Sequence, residues 1–117
     1  MSIRLANAEF ARIPRRKIVN YVLASAHPAG RAKAVFFGRF GFTAEAWTAL
    51  RDALLDHARS GSVVSISDSR FGRKYTLEGP LATPDGRTPL VRSVWYIETG
   101  EQNPRFVTAY PASGARR

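Results

Sequence analysis

The spacing of the apolar residues changes near Gly61, and this change constrains the fold more than any other feature of the chain. Before Gly61, apolar residues recur at helical intervals, as in the stripe formed by Trp47, Leu50 and Leu54. After Gly61, apolar and polar residues alternate, as they do over residues 73–81. Helices followed by strands predict an α+β domain in which the helices cover one face of a sheet.

The individual elements follow from where each pattern begins and ends. Helices are predicted over residues 14–26, 31–40 and 43–60, and strands over residues 62–67, 73–81, 90–98 and 105–110. The second helix is expected to bury Ala32, Val35 and Phe36 while Lys33 projects from its first turn. The prediction is therefore about three N-terminal helices packed on one face of a four-stranded, mainly antiparallel sheet.

Length and composition exclude several classes of protein. The chain has 117 residues, so we predict a single domain over residues 1–111 followed by a flexible tail at 112–117. It has no cysteine, and its two histidines lie in unrelated contexts, so neither a metal site nor another cofactor is expected. It has no long apolar run and no signal-peptide pattern, so we expect no membrane association and a cytoplasmic location.

The net charge of +9 points to a polyanionic partner. Most of the cations are arginines, and no acidic residue lies between Glu9 and Glu45. A GC-rich genome would also raise the arginine content, but the clustering favours RNA or DNA, or an acidic protein.

One short stretch inside this acid-free segment combines residues suited to phosphate chemistry. His27 precedes Pro28 and a glycine, and Arg31 and Lys33 follow. An imidazole that titrates near neutral pH, set among fixed positive charges, suits acid–base chemistry on a phosphodiester. The alternative is that Pro28 and the glycine simply separate two helices and that His27 faces water.

The strand patterns place a second group of candidates on the face of the sheet that the helices leave open. Arg92 and Tyr96 are expected there, together with Lys74 from the preceding strand. In the last strand, Val107 and Ala109 are expected to point into the core. Thr108 and Tyr110 alternate with them and are therefore expected on the open face. Basic groups interleaved with aromatic rings are typical of a single-stranded RNA platform, although an ordinary solvated sheet face fits equally well.

Three further features of the sequence support weaker predictions. His57 stands beside Asp56 and is expected to be a surface residue. Glu78 and Glu98 would form an acid–base pair only if the sheet register aligned them. The basic run at residues 15–17 suggests a phosphate or protein partner, or a solvated run of charges.

A family resemblance rests on residues distributed along most of the chain. They are 17–23, His27-Pro28-x-Gly30-x-x-Lys33-Ala34-x-Phe36-Phe37, Gly41-Phe42, Trp47-x-x-Leu50, Gly72-x-Lys74-Tyr75-x-x-x-Gly79, Pro84-x-Gly86-Arg87, Val94-Trp95 and 104–111. This pattern resembles a bacterial family of domains of unknown function. Such domains look like the tails of secreted polymorphic toxins and like stand-alone genes beside small antitoxin-like partners. The resemblance implies an acidic antitoxin or immunity-like partner protein.

The order of elements and the last strand are also similar to the barnase, EndoU, colicin and RelE ribonuclease group. That resemblance implies a metal-independent ribonuclease. It implies catalytic roles for His27, Lys33, Thr108 and Tyr110. The residues expected to bind the substrate are Arg31, Lys74, Arg92, Tyr96 and Arg105.

We therefore predict an endoribonuclease of toxin type that cleaves cellular RNA by acid–base transfer through the 2′-hydroxyl. A non-catalytic nucleic-acid-binding module is the first alternative. The second alternative is a protein-interaction domain that binds only an acidic partner protein.

Overall fold

The structure, a computed structural model, describes residues 3–19 and 28–112, with residues 28–30 described by their backbone alone. In chain order the elements are a 3-10 turn Ala8–Phe10, the helices α1 (Arg15–Lys17), α2 (Pro28–Arg39) and α3 (Trp47–Ser60), and the strands β1 (Ser62–Ser69), β2 (Gly72–Pro80), β3 (Leu90–Glu98) and β4 (Arg105–Pro111). The predicted α+β class and its order of elements are confirmed. Residues 113–117 of the predicted tail lie outside the described residues, whereas Ala112 is buried.

The four strands form one antiparallel sheet in the order β1-β2-β3-β4. Each strand pairs with its neighbour in sequence, and the connections span residues 70–71, 81–89 and 99–104. The predicted turn before β3 is present, since the amide of Gly86 donates to the carbonyl oxygen of Thr83 at 3.1 Å. Gly86 has φ 88°, a conformation that glycine adopts without the steric cost other residues meet.

The core lies between α3 and the middle of the sheet. On α3, Leu50 and Leu54 are fully buried. They face Leu77 of β2 and Trp95 of β3, whose ring meets that of Phe106 edge-on at 5.4 Å. The predicted stripe of α3 is therefore the surface through which this helix packs on the sheet.

The start and the buried face of α2 differ from the prediction. The helix includes Pro28, three residues before the expected start, and proline is tolerated in the first turn of a helix, where its missing N–H has no intrahelical acceptor. Phe37 is fully buried, while Ala32 and Val35 are exposed. Lys33 lies one turn before Phe37, so it shares the inward stripe instead of projecting away from it.

Candidate functional site

The strand register defines the open face of the sheet. In β3, Arg92, Val94 and Tyr96 alternate with the core residues Ser93 and Trp95. In β2, the residues that pair with Arg92, Val94 and Tyr96 are Glu78, Thr76 and Lys74, respectively. In β4, their partners are Tyr110, Thr108 and Arg105. We refer to these nine residues as the open face, whose central residue Val94 is itself buried.

A β-bulge in β4 decides which of its residues reach the open face. Trp95 pairs with Phe106 and Val94 pairs with Thr108, so Val107 is an extra residue in the ladder. The bulge lets Phe106 and Ala109 both enter the core, where both are buried. The expectation that Val107 and Ala109 share the core is wrong for Val107, which is half-buried. Thr108 lies on the open face as predicted.

Lys33 and Thr108 meet although 75 residues separate them in the sequence. The ammonium group Nζ of Lys33 donates a hydrogen bond to Oγ1 of Thr108 at 2.9 Å. Both side chains are half-buried. The structure thus brings together two of the four residues that were expected to be catalytic.

The loop between β2 and β3 fixes the end of α2, and therefore helps to position Lys33. Nη2 of Arg87 donates to the carbonyl oxygen of Arg39 at 2.8 Å, and its guanidinium lies 4.4 Å from the ring centroid of Phe40. The backbone amide of Asp85 donates to the carbonyl oxygen of Phe40 at 3.3 Å. The hydrogen bond from Arg87 also lowers the pKa of the Asp85 carboxyl to about 2.

Arg92 and Tyr110 form a second polar group on the open face. Nε of Arg92 donates to Oε1 of Glu78 at 2.8 Å, and Tyr110 pairs with Arg92 across the ladder. The hydrogen bond to Glu78 raises the pKa of the Arg92 guanidinium, and the Tyr110 hydroxyl adds to the effect. A permanently charged guanidinium beside a phenol provides donors for phosphate oxygens.

Arg105 and Tyr96 form a third group, at the other end of the same face. The guanidinium carbon of Arg105 lies 5.4 Å from the ring centroid of Tyr96, within the range of a cation–π contact. Nη2 of Arg105 also lies 3.4 Å from Oε1 of Glu98. The ring of Tyr96 occupies space that only a glycine at position 72 leaves open, since a Cβ there would lie 2.6 Å from its hydroxyl oxygen.

The remaining predicted residues are less closely grouped. Lys74 pairs with Tyr96 across the ladder and is exposed, and Arg31 is exposed in the first half of α2. His27 lies outside the described residues. Glu78 and Glu98 do not form a pair, because Glu78 lies opposite Arg92 while Glu98 lies opposite the first residue of β2.

The expectation that His57 lies on the surface is wrong. It is 1% exposed at the interface between α3 and the sheet. Its Nε2 lies 3.1 Å and 3.0 Å from the carbonyl oxygens of Gly79 and Val91, and its Nδ1 lies 2.7 Å from Oγ of Ser93. The charged neighbour Asp56 suggested exposure, but the spacing of three residues from Leu54 was the signal for burial.

The described residues contain no group of three or more histidine, aspartate or glutamate side chains placed to hold a metal ion. Nor does any helix among them combine the length and apolar character that crossing a bilayer requires.

The fold and the open face together define a small α+β domain with a basic, partly aromatic sheet surface. The family model described as a domain of unknown function, DUF6883, matches residues 4–113. The match spans nearly the whole sequence, so this chain belongs to that family. No curated protein matches the chain.

A comparison with solved structures relates the fold to one further protein. A chain of the contact-dependent growth inhibition toxin–immunity protein complex from Klebsiella pneumoniae 342 superposes with a TM-score of 0.62. The superposition covers 86% of this chain and 98% of that chain, at 15% sequence identity. At that identity the likeness establishes a shared fold.

Proposed function

We propose that this chain is a toxin-type endoribonuclease that cleaves cellular RNA without a metal ion. The observation that carries the proposal is the 2.9 Å hydrogen bond between Lys33 and Thr108. It sets an ammonium group and a hydroxyl side by side, two residues along β4 from Tyr110, which pairs with Arg92 on the same face. The likeness to a chain of a toxin–immunity complex supports the toxin class.

Cleavage proceeds by attack of the ribose 2′-oxygen on the adjacent phosphorus. The new P–O2′ bond forms as the P–O5′ bond breaks, which leaves a 2′,3′-cyclic phosphate and a free 5′-hydroxyl. A base takes the proton of the 2′-hydroxyl, and an acid supplies a proton to the departing 5′-oxygen. Lys33 and the Thr108 hydroxyl contact the phosphate oxygens on which negative charge develops.

His27 is the residue proposed to transfer protons, as the base or as the acid. It directly precedes the first residue of α2 in the sequence, and Lys33 follows six positions later. An imidazole is the side chain best suited to exchange protons near neutral pH. Tyr110 donates a hydrogen bond to a phosphate oxygen.

The other basic and aromatic residues of the surface hold the substrate. Arg92 and Arg105 neutralise phosphate charge, and Tyr96 offers a ring on which a base stacks. Lys74 and Arg31 extend the positive surface to either side. Sequence-independent contacts of this kind suit an enzyme that acts on single-stranded regions of cellular RNA.

An acidic antitoxin or immunity-like protein is the proposed partner. A chain with a net charge of +9 attracts an acidic protein over long range. A partner that covers the open face would block access of RNA to Lys33 and Thr108. Co-purification of the acidic product of a neighbouring gene, with loss of RNA cleavage in the complex, is the expected result.

The decisive experiment incubates the purified protein with total RNA in EDTA and follows the fragments by electrophoresis. The expected result is cleavage with 2′,3′-cyclic phosphate ends. Lys33→Ala and His27→Ala should each lower the rate about 100-fold. Arg59→Gln is the matched control, because Arg59 lies on α3 and pairs with Asp56.

The other outcomes separate the alternatives. RNA bound with a steep salt dependence but not cut would indicate a non-catalytic binding module. Binding of an acidic protein without any binding of RNA would indicate an interaction domain. Cleavage that is equally fast in Lys33→Ala and His27→Ala would leave the reaction in place and refute these two residue roles.

A further inference from the structure

A groove opens between α1 and the end of the sheet where β3 and β4 carry Tyr96 and Arg105. Its basic part has a volume of about 580 Å³ and is lined by Arg16, Lys17, Tyr96, Arg105 and Val107, among others. A neighbouring cavity of about 320 Å³ shares Tyr96 and Arg105 with it. Volumes of this size are typical of sites that hold a small organic ligand.

The charge of the basic part favours an anionic ligand. It is lined by Arg16, Lys17 and Arg105 and by no carboxylate among the described residues. Arg16 is exposed and makes no ion pair with any described carboxylate. A phosphate group entering here would meet cations on both sides of the groove.

The aromatic wall of the groove favours a ligand with a flat ring. The tip of the Tyr96 side chain lies close to Gly72, since a Cβ at that position would be 2.6 Å from both its Cζ and its hydroxyl oxygen. The guanidinium of Arg105 lies over the ring and adds a second flat, cationic surface. Aromatic and arginine planes are the surfaces on which unpaired bases stack.

The position of the groove relates it to the Lys33–Thr108 pair. Thr108 pairs with Val94, and Tyr96 is two residues further along β3. Two residues of a strand span about 7 Å. The groove is therefore close enough to receive a nucleotide adjacent to one whose phosphate contacts Lys33.

We propose that this groove binds one nucleotide of a single-stranded RNA, next to the scissile phosphate. The base stacks on the surface formed by the ring of Tyr96 and the guanidinium of Arg105, and the phosphate contacts Arg16 and Lys17. The orientation next to a scissile phosphate rests on the proposed ribonuclease function, whereas binding of the nucleotide itself does not. A single strand is required because a base in a duplex is already stacked and paired.

The test measures binding of a fluorescent 2′-O-methyl oligonucleotide, which cannot be cleaved because its 2′-oxygen is blocked. Tyr96→Leu should weaken binding about tenfold, and Tyr96→Phe should bind within about twofold of the wild type, because it keeps the ring. Arg16→Gln should also weaken binding. Arg59→Gln removes the same charge from α3 and should leave binding unchanged.

A second measurement locates the base without any substitution that could affect folding. Photo-crosslinking of the wild-type protein to an oligonucleotide containing 4-thiouridine should label the peptide that holds Tyr96. Labels confined to peptides of α3 would refute the proposal. Equal affinity of the wild type and Tyr96→Leu would refute it as well.

The two proposals fail in different ways. If the oligonucleotide binds in a Tyr96-dependent manner but RNA is never cut, the ribonuclease function is wrong and the nucleotide site stands. If RNA is cut in a Lys33-dependent manner but Tyr96→Leu changes neither binding nor KM, the nucleotide site is wrong. Tyr96-dependent binding of polyglutamate, with no binding of the oligonucleotide, would assign the groove to an acidic protein and also overturn the proposal.

Discussion

At the scale of single residues, His57 connects α3 to the sheet through a complete set of hydrogen bonds. Carbonyl oxygens only accept, so the two contacts of Nε2 require a proton on that nitrogen. Nδ1 then accepts from the hydroxyl of Ser93, which itself accepts from the indole N–H of Trp95 at 2.8 Å. This arrangement is satisfied only by a neutral imidazole, and burial lowers the pKa of His57 accordingly.

The free energy of unfolding should therefore depend on pH through His57. In the unfolded chain the imidazole has its ordinary pKa of 6.5, and in the folded protein the pKa is lower. As the pH falls below 6.5, the unfolded state takes up the proton first, so stability is lost progressively toward the lowered pKa. The slope contributed by one histidine is at most about 1.4 kcal/mol per pH unit. Urea unfolding between pH 7.5 and 5.5 measures it.

The second histidine of the chain provides the control for this pH dependence. His57→Gln should lower the free energy of unfolding at pH 7.5 by about 2 kcal/mol, because at least one buried polar group loses its partner. It should also remove most of the pH slope. His27→Asn should keep the slope, and a slope that disappears in His27→Asn instead would contradict the assignment.

A substitution pair at Thr108 tests the role of its hydroxyl separately from its volume. Thr108→Ser keeps the hydroxyl that accepts from Lys33, whereas Thr108→Val keeps the shape and removes the hydroxyl. If the hydroxyl contacts the phosphate in the transition state, Thr108→Val should lower kcat by about tenfold to 100-fold, and Thr108→Ser should retain most of it. Single-turnover cleavage of a short RNA provides the rates. Equal kcat in both variants would mean that Thr108 only supports the packing of Lys33.

At the scale of elements, the pairing of β2 with β3 depends on a close approach at Gly72. A Cβ at this position would lie 2.6 Å from the carbonyl oxygen of Ile97 and 2.6 Å from the hydroxyl of Tyr96. Gly72→Ala should therefore destabilise the fold by about 1–3 kcal/mol and displace the ring of Tyr96. Thermal unfolding measures the first effect, and weaker oligonucleotide binding reports the second.

Gly38 on α2 is the matched control for this substitution. A Cβ at Gly38 meets nothing within 4 Å, and the position lies inside a helix. Gly38→Ala should therefore raise the free energy of unfolding by about 0.5–1 kcal/mol. A Gly72→Ala variant as stable as the wild type would show that β3 can shift to accept the methyl group.

The boundaries of β3 were predictable because the turn before it is marked by residues with specific backbone preferences, including Gly86. The arrangement of β4 was only partly predictable. Side chains along β4 alternate between the core and the open face, but a bulge at Val107 shifts this alternation by one residue. The bulge depends on the pairing with β3, which the sequence of β4 does not show. The contact between Lys33 and Thr108 could not be predicted from the sequence either, because the burial of Phe37 in the assembled core determines which face of α2 points inward.

At the scale of the whole molecule, the asymmetric distribution of charge determines where a polyanionic partner would bind. The acid-free segment supplies Arg16, Lys17 and Lys33 to one side of the open face, and the sheet adds Arg92 and Arg105. Two of these cations, the arginines of the sheet, already pair with glutamates. The glutamates hold the guanidinium groups in place and are exposed enough for a phosphate to compete with them for the same donors.

RNA binding should therefore weaken steeply as the salt concentration rises. Each phosphate contact with a single strand contributes a slope of about −0.7 in a plot of log K against log salt, and four or five contacts predict a slope of about −3. Arg16→Gln should make the slope shallower by about 0.7. Arg59→Gln removes an identical charge from α3, outside the lining of the groove, and should leave the slope unchanged. Titrations of the uncleavable oligonucleotide from 50 to 300 mM salt measure these slopes. An equal loss in both variants would mean that RNA responds to the net charge of the molecule, without a defined path across the open face.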